Sequence, residues 1–420
     1  MIKKFSVRNF RNVSVDDLTF NQINILIGPN NSGKTNFIKA LSFFANMIIG
    51  GKENSYDSSF LSEVDRNGWI KLLNKDSSAS PEVSFKWNIE LNGEVCDYQF
   101  DFHTGQQIEQ FFITKEELSV SEKNPKQVRP FNYFKCHTEK KGSCIFSTAY
   151  KKGQNNKRVE IPVSNQDTVL FQFKDTLFEK PEIDPNKIIR KQFNPKFEEL
   201  LKYFKGFSSY SSAQFNLNSI RQPVETKIKG IVLNKDGSNF VNVFNHHKSK
   251  DLYFKVKFEE SLKQLMPHIS TTDISIEFEK LVFRMGYNQN QFDLSDVSDG
   301  TIKALLLTLL LTLPEESYSL MALDEPEMNM HPAWQKIIGK WILTHQTKRQ
   351  YFISTHSPDF LDAFTDGFKA GRVGIFVFGD KVNQGIRKLS YEEIKDELGD
   401  WQLGDLYRTN DPVIGGWPTW

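Results

Sequence analysis

The string Gly28-Pro29-Asn30-Asn31-Ser32-Gly33-Lys34-Thr35 constrains this chain more than any other feature. It matches G-x-x-x-x-G-K-[ST] in full, and such a loop works only between a buried strand and a helix. Both are predicted. Ile23-Asn24-Ile25-Leu26-Ile27 is a short apolar run ending at Gly28. Beyond the loop, Asn36 to Ile48 has helical spacing, with Phe37, Ala40, Leu41, Phe44 and Ala45 on one face and Gly50-Gly51 closing it. At average composition a chance match in a chain this long arises about 1–2% of the time, which sets an ordinary glycine loop aside. The glycines let backbone amides curl around the β- and γ-phosphates of a nucleotide. Lys34 is a point charge that follows those oxygens, and the Thr35 hydroxyl can ligate magnesium. Asn30, Asn31, Ser32 and Asn36 fill out the loop, and the helix presents its positive end to the anion.

Three later segments carry matching chemistry. Ser319-Leu320-Met321-Ala322-Leu323-Asp324-Glu325 reads as an apolar strand ending in two carboxylates. Asp324 there can reach the magnesium through water, and Glu325 is placed to take a proton from an attacking water. Val297-Ser298-Asp299-Gly300-Thr301 opens a helix predicted over Ile302 to Leu313 and ended by Pro314. Ser298 is a good N-cap, and Gly300 permits close backbone approach. Either this is a capped core helix, or its free amides form a second anion site, used on another subunit's nucleotide. Tyr351-Phe352-Ile353-Ser354-Thr355-His356-Ser357 is a strand followed at once by an imidazole able to hydrogen-bond a γ-phosphate. Gly300 precedes Asp324 by 24 residues, and His356 follows it by 32.

The ordered set GPNNSGKT, VSDGT, LMALDEPE and YFISTHS resembles the ABC-class P-loop ATPases, in their soluble RecF-, SMC- and OLD-like branch. It is most similar to prokaryotic AAA/ABC ATPases whose motifs read SDGT, DEPE-x-x-LHP and THSP. Asn9-Phe10-Arg11, Asp236-Gly237-Ser238-Asn239, Gly404-Asp405-Leu406-Tyr407 and Gly415-Gly416 are further echoes. His331-Pro332 resembles the motif past the acidic strand, but Met328-Asn329 stand where Asn and a small residue are common. The resemblance implies an α/β ABC-type head, with a mixed P-loop sheet and an antiparallel β subdomain. It implies Mg-dependent ATP hydrolysis at two sites sandwiched between paired heads, in a homodimer or higher even oligomer. Lys34, Glu325 and His356 would then be catalytic, Thr35 and Asp324 would hold Mg2+, and Ser298, Asp299 and Gly300 would complete the partner's site. It also implies work in a phage-defence or toxin-type system with a separate effector, a nuclease or toxin. The rivals are a RecF-like DNA clamp and a nucleotide-gated scaffold with little turnover. A magnesium-sensing glutamine has only Gln110 as a candidate.

The interval between motifs organises the rest. Lys34 and Asp324 are 290 residues apart, too far for a compact transporter-type nucleotide domain. The sequence therefore predicts an N-terminal ATPase lobe over 1–118, an α+β insertion over 119–272 and a C-terminal lobe over 273–420. No heptad run supports a long coiled coil. Only 64 residues follow His356, which predicts no Toprim nuclease there, and no HNH pattern is present. His246-His247 has no carboxylate partner at metal spacing and reads as surface.

Composition adds limits. Over 420 residues, 53 basic side chains face 52 acidic ones, so any nucleic-acid surface must be local. Residues 119–160 are the candidate, with ten Lys/Arg against three Glu, a local net of +7. They are either solvated loops and strands or a contact to DNA, RNA or an acidic partner, with Phe131, Tyr133 and Phe134 available for stacking. Phenylalanine, at 36 residues, predicts thick aromatic packing layers. Three cysteines without CxxC spacing predict no disulfide framework and a reducing cytoplasm. The first residues lack the apolar region of a signal peptide, and Ala304 to Leu313 is too short to span a bilayer.

Overall fold

The computed structural model describes residues 1–49, 58–72, 81–122, 130–137, 142–147, 158–172, 195–226, 231–345, 348–379, 385–409, 411 and 413–414. Along the chain, β1 (Ile2–Phe10), β2 (Val13–Thr19) and β3 (Ile23–Ile27) lead to α1 (Lys34–Ile49) and α2 (Ser59–Arg66). Six strands follow: β4 (Glu82–Leu91), β5 (Glu94–His103), β6 (Phe112–Val120), β7 (Asn132–His137), β8 (Ser143–Ser147) and β9 (Arg158–Pro162). Then come α3 (Pro195–Lys205), β10 (Phe207–Ser211), α4 (Leu217–Ile220), β11 (Val224–Glu225), α5 (Phe240–Lys250) and α6 (Leu252–Leu265). β12 (Ile269–Glu277), β13 (Lys280–Tyr287) and β14 (Asn290–Asp293) precede α7 (Asp299–Thr312), β15 (Leu320–Asp324), α8 (Pro332–Thr344) and β16 (Gln350–Ser354). The chain ends with α9 (Pro358–Asp362), α10 (Thr365–Lys369), β17 (Val373–Phe378), β18 (Ile386–Leu389), α11 (Tyr391–Leu398) and α12 (Leu403–Arg408). No helix among the described residues is long and apolar enough to cross a membrane.

The chain divides into two compact units, and the first comprises Met1–Asn21, Gly33–Phe207 and Asn383–Lys388. Its sheet runs β2-β1-β4-β5-β6-β7-β8-β9, antiparallel throughout. Asn92-Gly93 closes the β4–β5 hairpin with both residues at positive φ, the geometry that suits a tight right-twisted hairpin. The phenylalanine surplus is spent on this sheet. Phe43 of α1 stacks on Phe85 and Phe102 with centroids 5.8 and 5.6 Å away, and Phe44 meets Tyr98 and the α3 residue Phe204 at 4.7 Å each.

Two expectations are corrected in this unit. Cys136 on β7 stands opposite Cys144 on β8, their Cα atoms 4.1 Å apart, and the two form a disulfide. The hairpin register brings residues eight apart face to face, a pairing that counting and CxxC spacing do not reveal. Cysteine usage therefore gives no ground for a reducing compartment. Cys96 stays free and buried, and desolvation pushes its thiol up to about 12. Tyr133 and Phe134 are not available for stacking: both are buried, Phe134 against Phe146 and Phe197, and Tyr133 donating to Glu94 at 2.7 Å. Of the ten basic residues of 119–160, only Lys135 and Arg158 fall among the described residues, and Lys135 lies 3.8 Å from Glu117.

The second unit comprises Gln22–Ser32, Ser208–Val382 and Leu389–Trp420. Its sheet runs in the order β10-β15-β16-β3-β17, with β15, β16, β3 and β17 parallel. The four parallel strands are buried at every residue, as expected of strands covered on both faces. A smaller antiparallel sheet pairs β13 with β12, β11 and β14. The long apolar run becomes α7, buried from Ile302 to Thr312 and packed against α6 and α8. His247 departs from the surface reading. It is buried, and its Nε2 lies 2.9 Å from the Ile231 carbonyl, where it helps close the loop before α5.

Candidate functional site

Three neighbouring parallel strands deliver the predicted chemistry to one edge of the sheet. In register, Asp324 of β15 stands beside Ser354 of β16, and Ser354 beside Leu26 of β3. The carboxyl ends of such strands are where open α/β sheets bind ligands. From β3 issues the glycine-rich loop, from β15 the Asp324-Glu325 pair, and from β16 the Thr355-His356 segment.

The loop begins at Gly28, whose φ of 141 belongs to glycine and whose Cβ, if present, would lie 2.4 Å from the Phe378 carbonyl oxygen. The Tyr407 hydroxyl hydrogen-bonds the Gly28 backbone, which gives the C-terminal echo a place at this site. Ser32 closes a turn onto the Pro29 carbonyl at 3.4 Å, while Asn30 and Asn31 are exposed. The Ser32 hydroxyl is buried with no hydrogen-bond partner among the described residues, as a group held for an absent acceptor would be. Gly33 has φ 106, and a Cβ there would meet Asn12 at 3.1 Å. Asn36 donates to Asn12 Oδ1 at 2.8 Å and accepts from Arg11 Nη1 at 3.5 Å. Asn12 thus lies against Gly33 and Asn36, with no sequence signal beyond its neighbour Arg11. Lys34 opens α1 and is buried, whereas Thr35 is exposed.

Asp324 is buried and accepts a hydrogen bond from the Ser354 hydroxyl. Glu325 adopts φ 50, a left-handed conformation costing a non-glycine residue about 1–2 kcal/mol. Its amide donates at 3.1 Å to both the carbonyl and the hydroxyl of Ser354, which holds the turn in place. Its carboxylate is more than a third exposed and lies 3.5 Å from His356 Nε2. A carboxylate and an imidazole therefore share the mouth of the strand edge.

The serine-led helix starts as its sequence predicts. Ser298 is the N-cap, its Oγ accepting from the Thr301 amide at 3.2 Å, and Ser298 and Asp299 are exposed while the body of α7 is buried. Arg221 anchors the tip, donating to Asp299 Oδ1 at 2.6 Å and to the Val297 carbonyl at 3.2 Å. Ser298, Asp299 and Gly300 line an open cleft of about 850 Å³ with Asn329, His331, Ala333 and Trp334. Gln110 forms no part of this arrangement: its Oε1 closes a local turn by accepting from the Gln106 amide at 2.7 Å.

A family model described as an AAA domain, putative AbiEii toxin, Type IV TA system, matches residues 23–362. The chain belongs to this AAA-domain family. Endonuclease GajA of Bacillus cereus (strain VD045) is 22% identical over 377 residues, covering 85% of this chain and 56% of GajA. The retron Vc95 probable ATPase of Vibrio cholerae serotype O1 biovar El Tor is 27% identical over 135 residues, 29% of this chain and 26% of that protein. The AAA-domain chain thus spans about half the length of one curated relative and matches about a quarter of the other. Among solved structures, an SMC head bound to the C-winged helix domain of ScpA superposes with a TM-score of 0.51 at 12% identity, covering 93% of this chain and 99% of that one. That likeness establishes an SMC-head-like ABC ATPase fold. Family and fold together place the chain among AAA-domain proteins with an SMC-head-like ABC ATPase fold.

The AAA-domain site also contains residues that motif reading passed over. Ser354 bridges the acidic strand, Arg221 braces the serine-led tip, and Glu327 lies buried beneath the histidine segment. Glu327, the second glutamate of DEPE, and Ser354, inside YFISTHS, lie within quoted motifs, whereas Arg221 has no sequence signal.

Proposed function

We propose that this chain hydrolyses ATP at composite sites formed when two copies pair head to tail. The reading rests on one observation: three adjacent strand ends carry the phosphate loop, the Asp324-Glu325 pair and His356. Gly28, Asn30, Asn31, Ser32, Gly33, Lys34, Thr35 and Asn36 cradle the triphosphate, with the unpartnered Ser32 hydroxyl fitting an anion acceptor. Thr35 and Asp324 would hold Mg2+, which when bound supplies charge neutralisation on the phosphate oxygens. Glu325 takes the proton from the attacking water, and its exposed carboxylate beside the imidazole supports that role. His356 hydrogen-bonds the γ-phosphate and registers its departure. Ser298, Asp299 and Gly300, at an exposed helix tip, complete the partner's site. In this reading residues 1–118 and 273–420 form the ATPase lobes and 119–272 an insertion.

The relatives also bear on the biological setting. An endonuclease and a retron ATPase among them, with a family described by a toxin–antitoxin system, support a nucleotide-sensing role in a prokaryotic defence or toxin-type system. A separate nuclease or toxin subunit would act as effector, in the cytoplasm. The deciding experiment measures mass with and without ATP and Mg2+ on wild type and Glu325→Gln. Glu325→Gln should abolish turnover, by about 10²-fold or more, and accumulate an ATP-bound dimer. A monomer under every condition would sink the composite-site reading.

A further inference from the structure

The turn after Asp324 holds a second carboxylate that the proposed reaction leaves unused. Glu327 is 6% exposed, and its Oε1 takes two hydrogen bonds from one segment: Thr355 Oγ1 donates at 2.6 Å and the His356 amide at 3.1 Å. Its Oε2 is buried with no hydrogen-bond partner among the described residues. Desolvation pushes this carboxyl up to about 7, against the pull of the Thr355 hydroxyl and nearby amides. Burying a carboxyl is unfavourable unless hydrogen bonds offset its desolvation. Here they hold the residue on either side of the Thr355–His356 peptide.

A second side chain grips the same segment. Gln335 of α8, also buried, accepts from the Ser357 hydroxyl and donates to the Met330 carbonyl at 2.9 Å. Residues 355, 356 and 357 are therefore tied, one after another, to the turn and helix that follow β15. The ties matter because β16 ends at Ser354, so the ladder no longer fixes His356. The imidazole projects from this tethered peptide to within 3.5 Å of Glu325.

We propose that Glu327 is a positioning residue for hydrolysis: by clamping the Thr355 hydroxyl and the His356 amide it holds the His356 imidazole beside Glu325, where the γ-phosphate departs. This rests on the reading that Glu325 and His356 serve ATP turnover.

The test uses the full chain with ATP and Mg2+, reading kcat, KM and the Kd of a fluorescent ATP analogue. Glu327→Ala should lower kcat about 10- to 100-fold, the range set by losing two hydrogen bonds to a buried carboxyl, with the analogue's Kd within about twofold. Glu327→Gln, whose amide oxygen can still accept both donors, should stay within about threefold of wild type. Thr355→Val, which removes one donor at constant shape, should lower kcat about threefold to tenfold and carries the test if the alanine variant does not fold. In a His356→Ala background, both Glu327→Ala and Thr355→Val should change kcat by less than about twofold, because the residue they act through is gone. Wild-type kcat in Glu327→Ala and Thr355→Val, or losses that multiply fully with His356→Ala, would overturn the proposal. Wild-type turnover in His356→Ala and Glu325→Gln themselves would instead overturn the ATPase reading beneath it.

Discussion

Gly300 offers the sharpest separation of stability from function. A Cβ at this position would lie 2.9 Å from the Asn329 carbonyl oxygen, about 0.5 Å inside ordinary contact near 3.4 Å. Yielding is costly for Asn329, which already sits at φ 67 in a turn that leads into the His331 cap of α8. Overpacking of this kind typically costs about 1–3 kcal/mol. Opposing it, alanine is better than glycine in a helix by about 1 kcal/mol. The balance for Gly300→Ala is a loss of roughly 0–2 kcal/mol, a shift of only a few degrees in Tm. The helix tip and the Asn329 turn must nevertheless part by up to 0.5 Å, and both line the cleft proposed to meet a partner's nucleotide. Since a misplacement of 1 Å can cost on the order of 10²-fold, half of that predicts about a tenfold fall in turnover. The assay pairs thermal unfolding with ATP hydrolysis and ATP-dependent mass. A variant with wild-type turnover and unchanged ATP-dependent mass would rule out this role for the helix tip, whatever its Tm.

Two further outcomes test the fold itself. Arg349 is buried under the C-terminal end of α7, donating to the Leu310, Leu313 and Pro314 carbonyls at 3.1 Å each and lying over the Tyr318 ring, so Arg349→Met should cost about 2–4 kcal/mol in chemical denaturation. Glu116 is buried, takes hydrogen bonds from the Tyr98 hydroxyl at 2.8 Å and the Val169 amide at 2.7 Å, and is pushed by desolvation up to about 7. Its folded carboxyl binds protons more tightly than the unfolded one, so its contribution is complete below the ordinary carboxylate value and is lost as pH rises toward 7. Glu116→Gln should therefore flatten stability against pH between about 4.5 and 7 by on the order of 3 kcal/mol; parallel wild-type and variant curves would exclude the assignment.

What could be read in the sequence was local. The strand, glycine loop and helix of residues 23–49 share one stretch of chain, so periodicity and motif place them within two residues of the observed bounds. For α7, whose capping serine and terminating proline are sequence neighbours of the helix, the observed start lies three residues before the predicted one and the end within one. Partners distant in sequence were not readable. Ser354 reaches Asp324 across 30 positions, Arg221 reaches Asp299 across 78, and Asn12 meets Asn36 across 24. None of these contacts has a periodic signature, because each is created by strand order or loop packing. The disulfide fails for a related reason: its eight-residue spacing becomes a contact only through the β7–β8 register. His247 shows the opposite error: without a carboxylate partner at metal spacing it reads as surface, but a single carbonyl partner makes burial tolerable.

α7 shows how one element reconciles a greasy sequence with a polar role. From Ile302 to Thr312 it is buried on every side, so it has no amphipathic stripe and cannot rotate to relieve strain at its tip. Thr308 and Thr312, which would be unsatisfied polar groups there, return their hydroxyls to the Ala304 and Thr308 carbonyls at 2.7 and 2.8 Å. Arg349 satisfies the carbonyl end, and Arg221 with the Ser298 cap fixes the amide end. A helix held at both ends and along its length moves as a rigid post. Displacement at Asn329 must then be absorbed by the turn between β15 and α8, the same turn that carries Glu325 and Glu327. On this argument Gly300→Ala should disturb hydrolysis through that turn even where the helix itself stays intact, which a lowered kcat with unchanged helical content by circular dichroism would register.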